Sequence, residues 1–352
     1  MAGFPRSARV YSRRRAAAIL AGAVAAPALA VDPPRLERVT RSRRMMGVPW
    51  TVTVFAPDGE GAAAAEAALD EVARLDGVLS DYDPESELSR LSAAAPTDIP
   101  IPLSPDLGAV LARAVEIRTA SGGAFDPTVG PLTTLWRQAR RSGRMPLPDR
   151  LAAARAAVGP EALVVEGNPP TARVTRPGMR LDLGGIGMGY AIDRALSLLA
   201  GRGIAAALVD ASGDIGASGP PPGADGWKVA VAALDPREDG SETLRLTHAA
   251  VTTSGDAFQA VEIDGRRYSH IVDPRTGIGV PGPAAVTVIG PDAITADAAA
   301  TAASVLGPVA GSAFVAGLAG CAARFVWQEE GRPRSSMTVG WPDRARRSPD
   351  GG

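Results

Sequence analysis

Apolar and polar positions recur at two periods along the chain, and they divide it into elements. Residues 50–55 (Trp-Thr-Val-Thr-Val-Phe) are β-rich and predict a strand. Residues 61–79 place Leu69, Val72, Leu75 and Leu79 at helical spacing and predict a helix. A short helical piece follows at 86–91. Ser104 is a good N-cap and Pro105 suits a first turn, so a helix runs from there to 120, where Ser121-Gly122-Gly123 ends it. Residues 137–148 are polar and read as a mobile stretch, and 151–158 as a short Ala-rich helix. Strands are expected at 163–165, 172–175 and 180–183, then a Gly-rich turn and a helix over 191–200.

From residue 206 the pattern turns to β, with strands at 206–209, 227–232, 243–246, 249–253, 257–263, 267–272 and 285–289. Thr295 caps a helix reaching 306, which Gly307-Pro308 stops. A helix at 312–318 and a strand at 322–327 close the core. No fixed-period repeat is present. Helices early, hairpin-spaced strands later and no regular βα alternation predict an α+β fold of mostly antiparallel sheets with packed helices. Residues 31–44 form a polar, Pro-containing lead-in to a domain over 45–330, and the Arg/Pro/Ser/Gly-rich tail at 331–352 is expected to fray.

Composition narrows the function. The 352 residues are 45% apolar and 21% charged, with a net charge of −1, so no basic field exists to hold nucleic acid. Cys321 is the single cysteine, which excludes an intrachain disulfide and a Cys-rich metal site. Ser12-Arg13-Arg14-Arg15, an apolar run over 16–26 and Ala28-Leu29-Ala30 read as a cleavable export signal over 1–30, with paired arginines of the twin-arginine type. The run is shorter than the ~20 residues a spanning helix needs. No later segment reads as a transmembrane helix, so a periplasmic mature chain is expected.

Three segments carry candidate chemistry. Residues 182–190 (Asp-Leu-Gly-Gly-Ile-Gly-Met-Gly-Tyr) join a strand to a helix, where free amide N–H groups suit an anion. They match neither the dinucleotide fingerprint nor the Walker motif, and a plain tight turn stays open. Residues 268–277 (Tyr-Ser-His-Ile-Val-Asp-Pro-Arg-Thr-Gly) put His270 on a strand before a turn. His270 and His248 are the only histidines. His270 is the better general base, with a structural histidine as the alternative. Asp297 and Thr301 stand at i and i+4 on one helix face. They can meet one hard cation, or Asp297 can simply favour a helix N-terminus.

Taken in order, these segments and several others resemble the ApbE family of FAD:protein FMN transferases. The others are Met45-Met46-Gly47, 79–82 with 86–89, the Ala124-Phe125-Asp126 loop within 123–130, 211–214, 253–256 and 296–307. The resemblance implies an ApbE-like (T-fold-like) domain that cleaves FAD with Mg²⁺, transfers FMN to a Thr or Ser hydroxyl of a partner protein and releases AMP. It implies Asp297, Thr301 and the Gly185 carbonyl as metal ligands. It implies Met46, Tyr82, Ala124, Phe125, Asp126, Asp182, Met188 and Ile271 as FAD contacts, and His270 as the base for the acceptor hydroxyl. Partners would be exported redox subunits carrying that hydroxyl. Two positions depart from the pattern: Met188, where Lys is frequent, and Ser212, where Gly is common. A Mg²⁺-dependent FAD pyrophosphatase and a non-catalytic FAD-binding protein are the alternatives.

Overall fold

The computed structural model describes residues 35–231, 242–255, 260–282 and 284–341. The chain opens with β1 (Leu36–Met45), β2 (Val48–Pro57), α1 (Gly61–Leu79), α2 (Glu87–Ala93), β3 (Thr97–Pro102) and α3 (Pro105–Ala120). It continues with α4 (Gly130–Ser142), α5 (Pro148–Ala156), β4 (Leu163–Glu166), β5 (Thr171–Val174), α6 (Gly187–Gly201), β6 (Ala206–Ala211) and β7 (Asp214–Ala217). Next come β8 (Trp227–Val231), β9 (Glu242–Leu246), β10 (Ala249–Gly255), β11 (Ala260–Ile263), β12 (Arg266–Val272) and β13 (Gly279–Pro281). Last are β14 (Ala284–Gly290), α7 (Ala293–Ala316), β15 (Ala322–Glu329) and β16 (Arg332–Met337).

The main sheet has the order β1-β2-β6-β7-β10-β14-β15-β16, and every neighbouring pair is antiparallel. Period-2 alternation sends Trp50, Val52 and Val54 of β2 to one face, where they meet Leu69, Val72 and Leu75 of α1 and Ile192 of α6. Each such fully buried side chain contributes about 1.5–3 kcal/mol. The opposite face is covered by the β8–β9 hairpin, with Trp227, Val229, Leu244 and Leu246 packed on Ile215 and Val251. A third core joins α4 and α5 to the small sheet β11-β12-β13 through Leu132, Trp136, Val158, Ile263 and Val272. The expected α+β architecture is what forms.

Several local expectations are corrected. Residues 36–44 are no lead-in but most of β1, an edge strand whose polar side chains suit solvent, with Arg43 paired to Glu66 and Asp70 of α1. The first half of the polar stretch, residues 137–142, lies within α4, which needs only Leu132, Trp136 and Ala139, at i, i+4 and i+7, to bury one face. Residues 180–183 make one isolated bridge, Arg180 to Val129, instead of a strand. Helix α6 starts at Gly187, inside the expected Gly-rich turn. Asp292, not Thr295, caps α7 by accepting the Thr295 N–H at 2.9 Å. The tail beyond 331 pairs as β16 and buries Trp341. Helix α7 is long and apolar enough to cross a membrane by length and composition, contrary to expectation. Its apolar character serves the core: Ala296, Ala299, Ala300 and Ala303 are fully buried, and Gly307 kinks it before Pro308. The export signal, Ala232, Asp256, residues 257–259 and the tail from 342 lie outside the described residues.

Candidate active site

Close packing of α6 on α7 builds the first part of the site. A Cβ on Gly189 would lie 2.3 Å from the Ala293 carbonyl oxygen, so only glycine lets the two helices meet there. This brings the Gly189 N–H to Asp297 Oδ2 at 3.1 Å. One turn on, Thr301 lies against Gly185, where a Cβ would stand 2.6 Å from the hydroxyl. Ser254 Oγ of β10 lies 3.1 Å from Thr301 Oγ1. The expected trio of Gly185, Asp297 and Thr301 therefore gathers at one corner, and Ser254 joins it.

Burial and neighbouring carboxylates dominate that corner among the described residues. Asp297 is buried, and burial followed by the nearby Asp214 carboxylate drives its carboxyl well above the usual range. Burial also raises Asp214 to about 7, despite the N–H that Thr253 donates to it at 3.0 Å. Asp193 accepts the Ala293 and Ile294 N–H groups at the start of α7, yet burial lifts it to about 6. Among the described residues no three His, Cys, Asp or Glu side chains converge as a metal cluster. The oxygens that could meet a cation there are instead the Asp297 carboxylate and the Thr301 and Ser254 hydroxyls, beside the Gly185 backbone. All are oxygen, as a hard cation such as Mg²⁺ prefers, and Mg²⁺ commonly takes few protein ligands.

Helix α4 builds the second part. Thr133 and Arg137 stand one turn apart, and both reach Asp182: Thr133 Oγ1 donates to Oδ2 at 2.7 Å and Arg137 Nη2 at 3.0 Å. The other carboxylate oxygen accepts the Gly184 N–H at 2.9 Å. Arg137 Nη1 donates to Asp81 at 2.5 Å, and the guanidinium lies 4.4 Å from the centre of the Tyr82 ring. Burial raises the Asp81 carboxyl, the Asp182 charge adds to this, and Arg137 opposes it. On its buried side, Trp136 Nε1 donates to the Gly277 carbonyl at 2.8 Å, and its ring is 5.3 Å from that of Tyr268. Helix α4 thus ties Asp182 to the strand carrying His270.

The remaining expected positions surround these parts. Ala124, Phe125 and Asp126 are buried in the α3–α4 loop, and Asp126 Oδ1 accepts from both the N–H and the hydroxyl of Thr128. The Asp182 N–H donates to Pro127 O at 2.9 Å, so this loop lies beside Asp182. A cavity of about 750 Å³ opens at Asp126, bordered by Gly123, Arg118, Arg155 and Arg275. Met46 turns from β1 to β2 with φ 49°, and its N–H donates to Asp76 near the end of α1 that leads to Tyr82. Met188 lies half-buried in the first turn of α6. His270 and Ile271 are half-buried on β12, which touches both α4 and α7. Asp273 accepts from the Arg275 backbone N–H and side chain, so residues 273–277 form a turn as read.

The model of the ApbE family matches residues 46–325. The chain belongs to the ApbE family. A FAD:protein FMN transferase of Treponema pallidum is 33% identical over 335 residues, covering 89% of this chain and 90% of that protein. Two ApbE structures share the fold. The apo flavinyl transferase ApbE of Pseudomonas stutzeri has a TM-score of 0.78 at 30% identity, covering 88% of this chain and 97% of its own. The flavin transferase ApbE from Vibrio cholerae has a TM-score of 0.79 at 28% identity, covering 88% and 99%.

Sequence reasoning missed Arg137, Thr133, Ser254 and the burial of Asp214. Only the i, i+4 spacing of Thr133 and Arg137 offered a signal, and it was masked by the polar run around it. Asp214 follows a tight turn, with φ 58° at Ser212, and its side chain is buried.

Proposed function

We propose that this ApbE-family enzyme transfers FMN from FAD to a threonine or serine hydroxyl of a partner flavoprotein, with Mg²⁺ and with release of AMP. The observation that carries the reading is the oxygen-only corner of Gly185, Asp297 and Thr301, where buried carboxylate charge has no cation among the described partners. Membership of the family makes the chain a transferase handling flavin. A Mg²⁺ held there would neutralise charge on the phosphate oxygens of FAD.

The chain's own groups then have defined tasks. Asp182 and Tyr82 orient FAD, with Met46, the 124–126 loop, Met188 and Ile271 around it. His270 accepts the proton of the acceptor hydroxyl as its oxygen bonds to the FMN phosphorus. The bond from that phosphorus to the bridging oxygen breaks, and AMP leaves with the bridging oxygen. Phosphoryl transfer asks for such positioning more than for a covalent intermediate. The sequence of residues 12–30 supports export by the twin-arginine route, and hence an acceptor on a periplasmic redox subunit.

The test incubates the mature chain with FAD, Mg²⁺ and a threonine-bearing acceptor domain. Expected are flavin fluorescence on the acceptor in a denaturing gel, equimolar AMP, and loss of both with EDTA or His270→Ala. Free FMN with an unlabelled acceptor would instead make the protein a pyrophosphatase, and FAD binding without turnover a carrier.

A further inference from the structure

Tyr82 is 73% exposed, an unusual position for a large aromatic, yet it is firmly held. Ser80 Oγ accepts the Tyr82 and Asp83 N–H groups at 3.2 Å each, and the Ser80 carbonyl accepts Ser86 Oγ at 2.5 Å and Ser89 Oγ at 3.2 Å. The ring therefore stands in solvent on a fixed loop, with the Arg137 guanidinium over one face. Arg137 is held as firmly. Its two terminal nitrogens are spent on Asp81 and Asp182, which leaves its planar face for the ring.

The charge here is nearly balanced. The two carboxylates face Arg137 and Arg180, whose side chain donates to the Asp81 carbonyl. Such a place suits a neutral flat ring better than a pyrophosphate. We propose that Arg137 is a positioning residue that presents Tyr82 and Asp182 as one preformed platform, on which a planar ring of FAD stacks against the free face of Tyr82. This rests on the flavin-transfer reading. Arg137 polarises the Tyr82 ring from behind and keeps Asp182 aimed at ring or ribose donors. FAD then binds without first ordering this loop.

The experiment compares wild type, Tyr82→Leu, Arg137→Lys and the double variant. Arg137→Lys keeps a cation between the carboxylates, so the fold is retained, but it loses the planar face. FAD affinity is read by flavin fluorescence polarisation with Mg²⁺, and KM and kcat in the transfer assay. Each single variant is expected to weaken FAD binding and raise KM by about three- to thirtyfold, with kcat at saturating FAD within about threefold. Because both act through one platform, the double variant should bind no worse than the weaker single by more than about twofold. Multiplying effects, or Tyr82→Leu binding FAD as wild type does, overturns the platform; the exposed Tyr82 makes that variant safe from unfolding. If wild type itself binds no FAD, the flavin reading falls as well.

Discussion

Gly185 and Thr301 are in direct contact: a Cβ on Gly185 would lie 2.6 Å from Thr301 Oγ1 and 3.0 Å from its Cγ2. The constraint is spatial, since Thr301 is fixed in a packed helix turn. Gly185→Ala is therefore expected to cost about 1–3 kcal/mol of stability by overpacking. It should also push Thr301 off its place and raise the Mg²⁺ concentration for half-maximal transfer by about tenfold or more. Thermal melts in EDTA and a Mg²⁺ titration of transfer measure the two effects. An alanine variant with the wild-type Mg²⁺ response would remove Gly185 from the proposed metal site.

Asp297→Asn separates stability from function. The variant keeps the shape and an oxygen that can accept the Gly189 N–H, but it ends the repulsion with Asp214. In EDTA at pH 7.5 it should melt no lower than wild type, because the cost of burying a titratable carboxyl beside Asp214 is gone. Addition of Mg²⁺ should raise the melting temperature of wild type and leave the variant unmoved. Transfer should fall by about a hundredfold or more, as when a charge-stabilising group is lost. A variant that still gains stability from Mg²⁺ would place the metal elsewhere.

The same carboxyls set a pH dependence. Burial raises Asp193 to about 6 and Asp214 to about 7, and Asp297 moves the same way. A carboxyl with a raised folded pKa binds its proton more tightly folded than unfolded. Its stabilisation is present at low pH and is lost as pH rises through the folded value, by up to about 1.4 kcal/mol per unit of pH for each group. Glu71 and Asp106 are shifted downward by Arg74 and Tyr190 and act below this window. In EDTA the melting temperature should therefore fall between pH 5 and pH 7. Saturating Mg²⁺ should flatten or reverse that slope, since the cation competes with the protons. A flat EDTA profile would show that the three carboxyls do not titrate as their burial requires.

How much of this was legible follows from what kind of pattern each element carries. Helix α1 and strand β2 announce themselves because many apolar residues repeat on one face. Asp297 and Thr301 were legible as a pair because both lie on one helix. Gly185 was joined to them only through the family resemblance and Ser254 not at all, because both approaches depend on how α6 and β10 pack on α7. Strand β1 and helix α4 escaped for a shared reason. Each hides few residues, β1 as a sheet edge and α4 with only Leu132, Trp136 and Ala139 inward among its arginines. A polar sequence was mistaken for a loose one, and with α4 went Arg137, the cation at the centre of the Asp182 cluster. Thr295 lost the cap to Asp292 because the helix begins three residues earlier.

Trp136 gives the last prediction, because it links the two halves of the site. It is fully buried, its Nε1 donates to the Gly277 carbonyl at 2.8 Å, and its ring tilts against Tyr268, two residues before His270. Trp136→Phe keeps an aromatic ring in the core but leaves the Gly277 carbonyl without this donor. The stability cost should be about 1–3 kcal/mol, the desolvation of one unsatisfied acceptor plus lost contacts. The turn at 273–277 and strand β12 would then be less firmly aimed, so kcat should fall by about tenfold or more while KM for FAD changes little. Asp182 is held by Thr133 and Arg137 on the other face of α4 and should still orient FAD. Steady-state kinetics alongside a denaturant melt separates these effects. Equal losses in KM and kcat would mean that α4 moves as one body, with no separate coupling through Gly277.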